Sequence, residues 1–282
     1  MSLTSELSKK DSNISRFFED NFNLNGFVSE NNSNIRGSYT ISPSDKNNYP
    51  WSDVGHMTEY MMLLHMGLKI EELFPMWYGC EKYPDIYRDI RSKYKDTTRF
   101  FKDKILYYEL CEDLFRLSKI EGIRRGNSFL TSNEIKNLKI NEVIFNDMIN
   151  IYFKSLKKNE IINNKETFFY YNPVFDLSAS VGGAGADLYL LEPNGNFLID
   201  LKTTIKPMVD KDMVHQLLGY VLLDASEKHN FKNIGIYLTR QNLISKWNIQ
   251  ELLQNNSKFK NIEEARGEFV MSALVKKNKI VF

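Results

Sequence analysis

Two cysteines, Cys80 and Cys111, and four histidines are the only thiol and imidazole groups in this chain of 282 residues. They form no Cys-x-x-Cys and no paired histidine spacing, which argues against a structural zinc site. Two lone thiols fit a reducing, cytoplasmic setting. No run approaches the roughly eighteen apolar residues that a membrane-spanning helix needs, and Met-Ser-Leu-Thr-Ser-Glu-Leu-Ser-Lys-Lys at the start lacks the apolar centre of a secretory signal. The expectation is a soluble protein with no membrane partner. Neither sign of charge dominates: 37 Lys and Arg stand against 36 Asp and Glu, so no global positive field draws in nucleic acid and any such binding must use local patches. The length suffices for one large domain with a full core.

What the chain does have is concentrated in residues 182–204. Two apolar runs, 188–191 and 197–201, flank Pro193-Asn194-Gly195, and Asn-Gly between such runs signals a tight hairpin. With Asn194 and Gly195 as the loop, Tyr189 falls opposite Asp200 and Asp187 opposite Lys202. Residues two apart on a strand share a face, so Asp187, Asp200 and Lys202 project together. Carboxylates that close repel unless a cation or proton lies between them. A hard divalent cation with oxygen ligands answers that repulsion.

Asp187, a twelve-residue gap and Asp200-Leu201-Lys202 resemble the pattern of the PD-(D/E)XK nucleases, and Leu-Ile-Asp-Leu-Lys-Thr-Thr is similar to the form of their RecB-like branch. That branch also carries Gln-x-x-x-Tyr on the helix after the lysine strand, and Gln216-Leu217-Leu218-Gly219-Tyr220 follows here. The resemblance is clear over residues 180–250. It implies an α/β fold: a restriction-endonuclease-like central mixed β-sheet flanked by helices, enlarged by a helical insertion between the first core helix and the catalytic hairpin. It implies Mg²⁺, or Mn²⁺, held by Asp187, Asp200 and the backbone carbonyl of Leu201. Lys202 would act on a water or a phosphate oxygen, and Gln216 would assist catalysis. The implied activity is hydrolysis of phosphodiester bonds in nucleic acid, DNA before RNA, in restriction, defence or repair. Cutting both strands would favour a homodimer. Because such folds also serve without catalysis, a binding or scaffold module for nucleic acid or a protein partner stays open.

Along the rest of the chain, residues 1–50 read as an N-terminal helix and loop, with 1–12 loose, a short amphipathic helix at 14–22 and an Asn- and Ser-rich loop at 25–48 holding at most a strand at 38–41. Residues 51–282 read as the nuclease-like domain, with the insertion at 71–164. Ser52-Asp53 opens a helix to about Lys69 that is apolar nearly all round, with Glu59 inside it. A buried carboxylate must be paired, protonated or metal-bound, which makes Glu59 a further candidate ligand as well as a candidate for an ordinary ion pair. His56, one turn earlier, reads first as a structural histidine.

Between Arg88 and Lys104 seven basic residues face three aspartates, and Arg124-Arg125 follows; these are solvated faces or tracks for phosphate. Residues 168–175 are strand-prone. The glycines of 182–185 precede a strand rather than a helix, which excludes a dinucleotide loop and suits close backbone approach beside Asp187. Asp210–Asp212 opens the helix carrying Gln216 and Tyr220, which share one face and are candidates to contact nucleic acid. Residues 233–239 form a buried strand ending at Arg240, a candidate phosphate ligand or surface ion-pair member, and 245–253 a helix.

Overall fold

The structure is a computed structural model that describes residues 3–94, 104–126, 129–164 and 168–274. Much of the basic run after Arg88 and residues 275–282 lie outside the described residues.

A five-stranded mixed sheet in sequence order organises the chain: β1 (Phe169–Tyr171), β2 (Leu188–Leu190), β3 (Asn196–Lys202), β4 (Phe231–Leu238) and β5 (Leu243–Asn248). β1, β2 and β3 run antiparallel in turn, β3 and β4 are parallel, and β5 returns antiparallel to β4. The parallel step needs a crossover, which α11 (Lys211–Leu223) supplies. The apolar alternation of β3 divides two cores. Leu188, Leu190, Phe197, Ile199 and Tyr237 face one side, and Tyr189, Leu198, Ile234, Ile236 and Leu238 the other. Leu191, at the end of the first apolar run and past β2, is 41% exposed.

The first face is covered by α4 (Trp51–His65) and, after it, a helical block: α5 (Phe74–Lys82), α6 (Pro84–Lys93), α7 (Lys104–Arg124), α8 (Ser132–Lys136), α9 (Glu142–Lys154) and α10 (Glu160–Asn163). α4 is apolar nearly all round, as its sequence predicts, with Val54, Met57, Tyr60, Met61, Met62, Leu63 and Leu64 buried. It begins one residue earlier than predicted and ends at His65; Asp53 is in its first turn and forms an ion pair with Lys119 of α7 at 2.6 Å.

The second face is covered by α11, α12 (Ile249–Asn256), α13 (Ile262–Phe269) and the N-terminal helices α1 (Leu3–Leu7), α2 (Asn13–Asn21) and α3 (Asn25–Ile35). Residues 3–7 are therefore not loose: Leu3 is 1% exposed and rests against Gly219, where a built β-carbon would come within 2.8 Å of it. α3 replaces the expected loop, and 38–41 form no strand. Its polar residues are spent on tertiary contacts that outweigh their poor helix propensity: Asn32 exchanges two 2.8 Å hydrogen bonds with the backbone of Val209, and Asn31 accepts from the Trp247 indole at 2.8 Å. The expected helix from Ser245 is first a strand, with the helix beginning at Ile249 behind an Asn248 cap.

The hairpin register differs from the expected one by two residues: Leu188 pairs with Ile199, Tyr189 with Leu198 and Leu190 with Phe197. An Asn-Gly two-residue loop needs left-handed backbone at both positions, but only Gly195 has it, at φ +111°. The chain instead turns over four residues, with the Gly195 amide donating to the Glu192 carbonyl at 3.2 Å. This puts Pro193 at the second and glycine at the fourth turn position, where each is favoured. A displacement of two preserves the alternation, so Asp187, Asp200 and Lys202 still share the face of Tyr189 and Leu198.

Candidate functional site

β3 presents Asp200 and Lys202 to α11, whose N-cap is Asp210: its side chain accepts from the Met213 amide at 2.9 Å and fixes where the helix starts. Gln216, two turns in, then reaches the strand. Its Nε2 donates to Asp200 Oδ1 at 3.1 Å and to the Tyr220 hydroxyl at 2.7 Å, while its Oε1 accepts from Lys202 Nζ at 3.1 Å. One side chain thus joins the acid, the base and the tyrosine one helical turn away. Lys202 Nζ also lies 2.7 Å from Asp200 Oδ2. That approach is an ion pair without a directed hydrogen bond, and Oδ2 has no other partner although it is buried.

Asp187 stands just before β2. Continued one step outward, the register sets it beside Asp200, and its Oδ2 accepts from the Leu201 amide at 2.6 Å. Burial first, and then the charge of Asp200, pushes the Asp187 carboxyl up to about 7; the Leu201 amide and Lys202 pull the other way. Burial works to lower Lys202, but Asp200 beside it overrides this and leaves its ammonium more firmly protonated than usual.

Asp187 lines a cavity of about 900 Å³ that lies between the two helical layers at the edge of the sheet. Glu59 of α4, Gln216 and Tyr220 of α11, and the loop 182–186 line it as well. Burial, then the charge of Asp187, raises the Glu59 carboxyl well above its ordinary value. Four of the expected site residues therefore share one cavity. Asp200 and Lys202 do not line it; they lie behind Gln216, closed on each other. No three or more carboxylate, histidine or cysteine side chains among the described residues are gathered into a metal-holding group.

The cavity also brings in Tyr171, Glu121 and Phe74, which carried no signal as site members, and Arg124-Arg125, which the sequence offered as a solvated face or a track for phosphate. Tyr171 of β1 lies on its wall, its hydroxyl pushed up by burial and by Glu59 and Asp187. Glu121 and Arg124 of α7, Arg125 just after it and Phe74 of α5 form the side contributed by the helical block. Glu121 and the arginines are at spacings seen on any solvated helix. His56 lines the cavity too, with a buried Nδ1 that has no hydrogen-bond partner, and burial lowers its pKa.

Arg240 corrects the expectation. It is not a phosphate ligand on a strand end but fully buried, 0% exposed. Its guanidinium forms a fork with Asp147 of α9 at 2.8 and 2.6 Å and donates to the carbonyls of Ile41 and Thr203. A chain leaving β4 beneath α9 can place an arginine there only with a carboxylate to receive it.

Comparison of the chain with family models, with curated proteins and with solved structures gave no match. Among the described residues no helix is long and apolar enough to cross a membrane.

Proposed function

We propose that this chain is a divalent-cation-dependent nuclease with a restriction-endonuclease-like core, hydrolysing phosphodiester bonds in nucleic acid, DNA first. The observation that carries the reading is the network in which Asp200 and Lys202 of β3 meet Gln216 of α11, with Asp187 held beside it on the Leu201 amide.

The donor set suits Mg²⁺ or Mn²⁺. Asp187 and Asp200 are oxygen donors held side by side, Asp200 Oδ2 is buried with only the Lys202 ammonium against it, and the Asp187 carboxyl, pushed up first by burial and then by the charge of Asp200, would be favoured in its charged form by a cation between the two. Asp187, Asp200 and the Leu201 carbonyl would hold the ion, with Glu59 lining the same cavity as Asp187. When bound, such an ion makes a water more acidic and neutralises charge on the scissile phosphate.

The residues of the chain do the remaining work. Lys202, whose ammonium Asp200 keeps protonated, orients the attacking water or stabilises negative charge in the transition state. Gln216 holds Lys202 and Asp200 in register, and Tyr220 fixes Gln216.

The test is degradation of plasmid and of linear single strands with and without Mg²⁺, with Asp200→Ala run beside the wild type. Cleavage that needs Mg²⁺ and disappears in the variant is expected. Binding of nucleic acid without cleavage by either protein would replace the nuclease with a binding module.

A further inference from the structure

The wall that the helical block contributes to the cavity has a composition the cleavage chemistry does not require. Phe74, at the start of α5, faces the cavity, and the Arg124 guanidinium lies over its ring, 4.5 Å from the centroid. Trp77 continues the aromatic surface outward, its ring 6.0 Å from Phe74 and 62% exposed. Beside them Glu121 accepts from Arg124 and from Arg125, each at 2.6 Å. One buried carboxylate thus answers two guanidinium groups, and the charge of Arg125 also acts on Glu59 and Asp187 in the same cavity. The Arg125 side chain is 55% exposed.

An aromatic ring with one guanidinium stacked on it and a second, half-exposed guanidinium next in the chain match the two parts of an unpaired nucleotide. Any base can stack on an aromatic ring, and a phosphate takes arginine's planar fork. Size points the same way. About 900 Å³ lies near the top of the roughly 300–1,000 Å³ range of cavities that enclose a small ligand, room for a few nucleotides and far from a turn of duplex. The facing wall, the loop 182–186 with residues 3–5 of α1, bounds the cavity on its other side.

Resting on the nuclease reading, we propose that the cavity takes unpaired nucleotides, with a base laid against Phe74 and a neighbouring phosphate held by Arg124 and Arg125. Single-stranded nucleic acid is then the preferred substrate, and the helical block is the part of the molecule that selects it.

The experiment measures fluorescence anisotropy of a labelled twelve-nucleotide oligothymidylate and of a blunt DNA hairpin in EDTA, where cleavage does not interfere. The wild type is expected to bind the single strand about tenfold or more tightly than the hairpin. Phe74→Ala should weaken single-strand binding by about tenfold, with Phe74→Tyr restoring most of it. Arg125→Ala should weaken it and flatten its salt dependence. Melting curves establish that each variant is folded; if Phe74→Ala is not, Arg125→Ala, at an exposed position, carries the test. Equal affinity for the hairpin, or unchanged binding in the folded variants, overturns the inference. Failure of the wild type to bind either ligand overturns it too, and Mg²⁺-dependent plasmid degradation then decides separately whether the nuclease reading survives.

Discussion

Two acid–base pairs sit at the same end of the parallel strands β3 and β4, and they are finished to different degrees. Arg240, two residues past β4, meets Asp147 with both side chains 0% exposed and a fork of two hydrogen bonds, while Tyr49 donates to the same carboxylate. Lys202, the last residue of β3, meets Asp200 through one ion pair and one shared glutamine, with a second carboxylate, Asp187, raised in pKa beside them. The first pair is closed on itself and ties α9 and the segment before α4 to the sheet. The second is short of positive charge and adjoins a cavity. Burial alone therefore does not distinguish the two pairs; the state of their remaining lone pairs does.

The difference can be broken from either side. The largest effect on stability is expected from Arg240→Ala, which leaves Asp147 buried without its counter-charge and should cost about 3–5 kcal/mol, seen as a large fall in denaturant midpoint or as insoluble protein. Lys202→Met keeps the length of the side chain and should leave a folded protein whose Mg²⁺-dependent cleavage falls about 100-fold or more. Undiminished cleavage would remove Lys202 from the chemistry.

Asp187→Asn sharpens the comparison through pH. The folded wild type holds the Asp187 proton up to about 7, whereas the unfolded chain releases it near the ordinary 3.8. The stability tied to that proton is thus fully present below about pH 4 and lost as pH rises through 7. Asparagine still accepts from the Leu201 amide and carries no charge. The variant should be more stable than wild type at pH 8 by about 1–3 kcal/mol, with the advantage gone at pH 4, as read from melting temperatures across the range. The smallest effect is stabilisation by Mg²⁺ itself, about 1.4 kcal/mol at ten times the dissociation constant, absent in Asp200→Ala.

The parts of the site that were legible in the sequence depend on local repeats. The period of two in β3 places Asp200 and Lys202 on one face, and the spacing of four in α11 places Gln216 under Tyr220; neither needs knowledge of distant segments. The period of two also protects the assignment of faces from the error in turn length, since Pro193 and Gly195 fit a four-residue turn as well as Asn-Gly fits a shorter one. Glu59 was legible as a charge inside an apolar helix. Arg240 was not, because its partner lies 93 residues away and nothing near it in the chain distinguishes a buried guanidinium from an exposed one. α3 was missed for the same reason: Asn31 and Asn32 favour loops until Trp247 and Val209 use their amides. Phe74, Glu121 and Tyr171 come to the cavity from three separate elements, and only the folded chain makes them neighbours.

The four-residue turn between β2 and β3 has a consequence for length changes at that tip. Adding or deleting a single residue while β3 stays anchored to β4 would force β2 to advance by one position, swinging Asp187 under the helical block and bringing Leu188 to the side of Asp200. Adding or deleting a pair would leave every side chain on its own side of the sheet. Relatives of this chain should accordingly differ at the tip by even numbers of residues, or carry a bulge in β2 that absorbs the odd one.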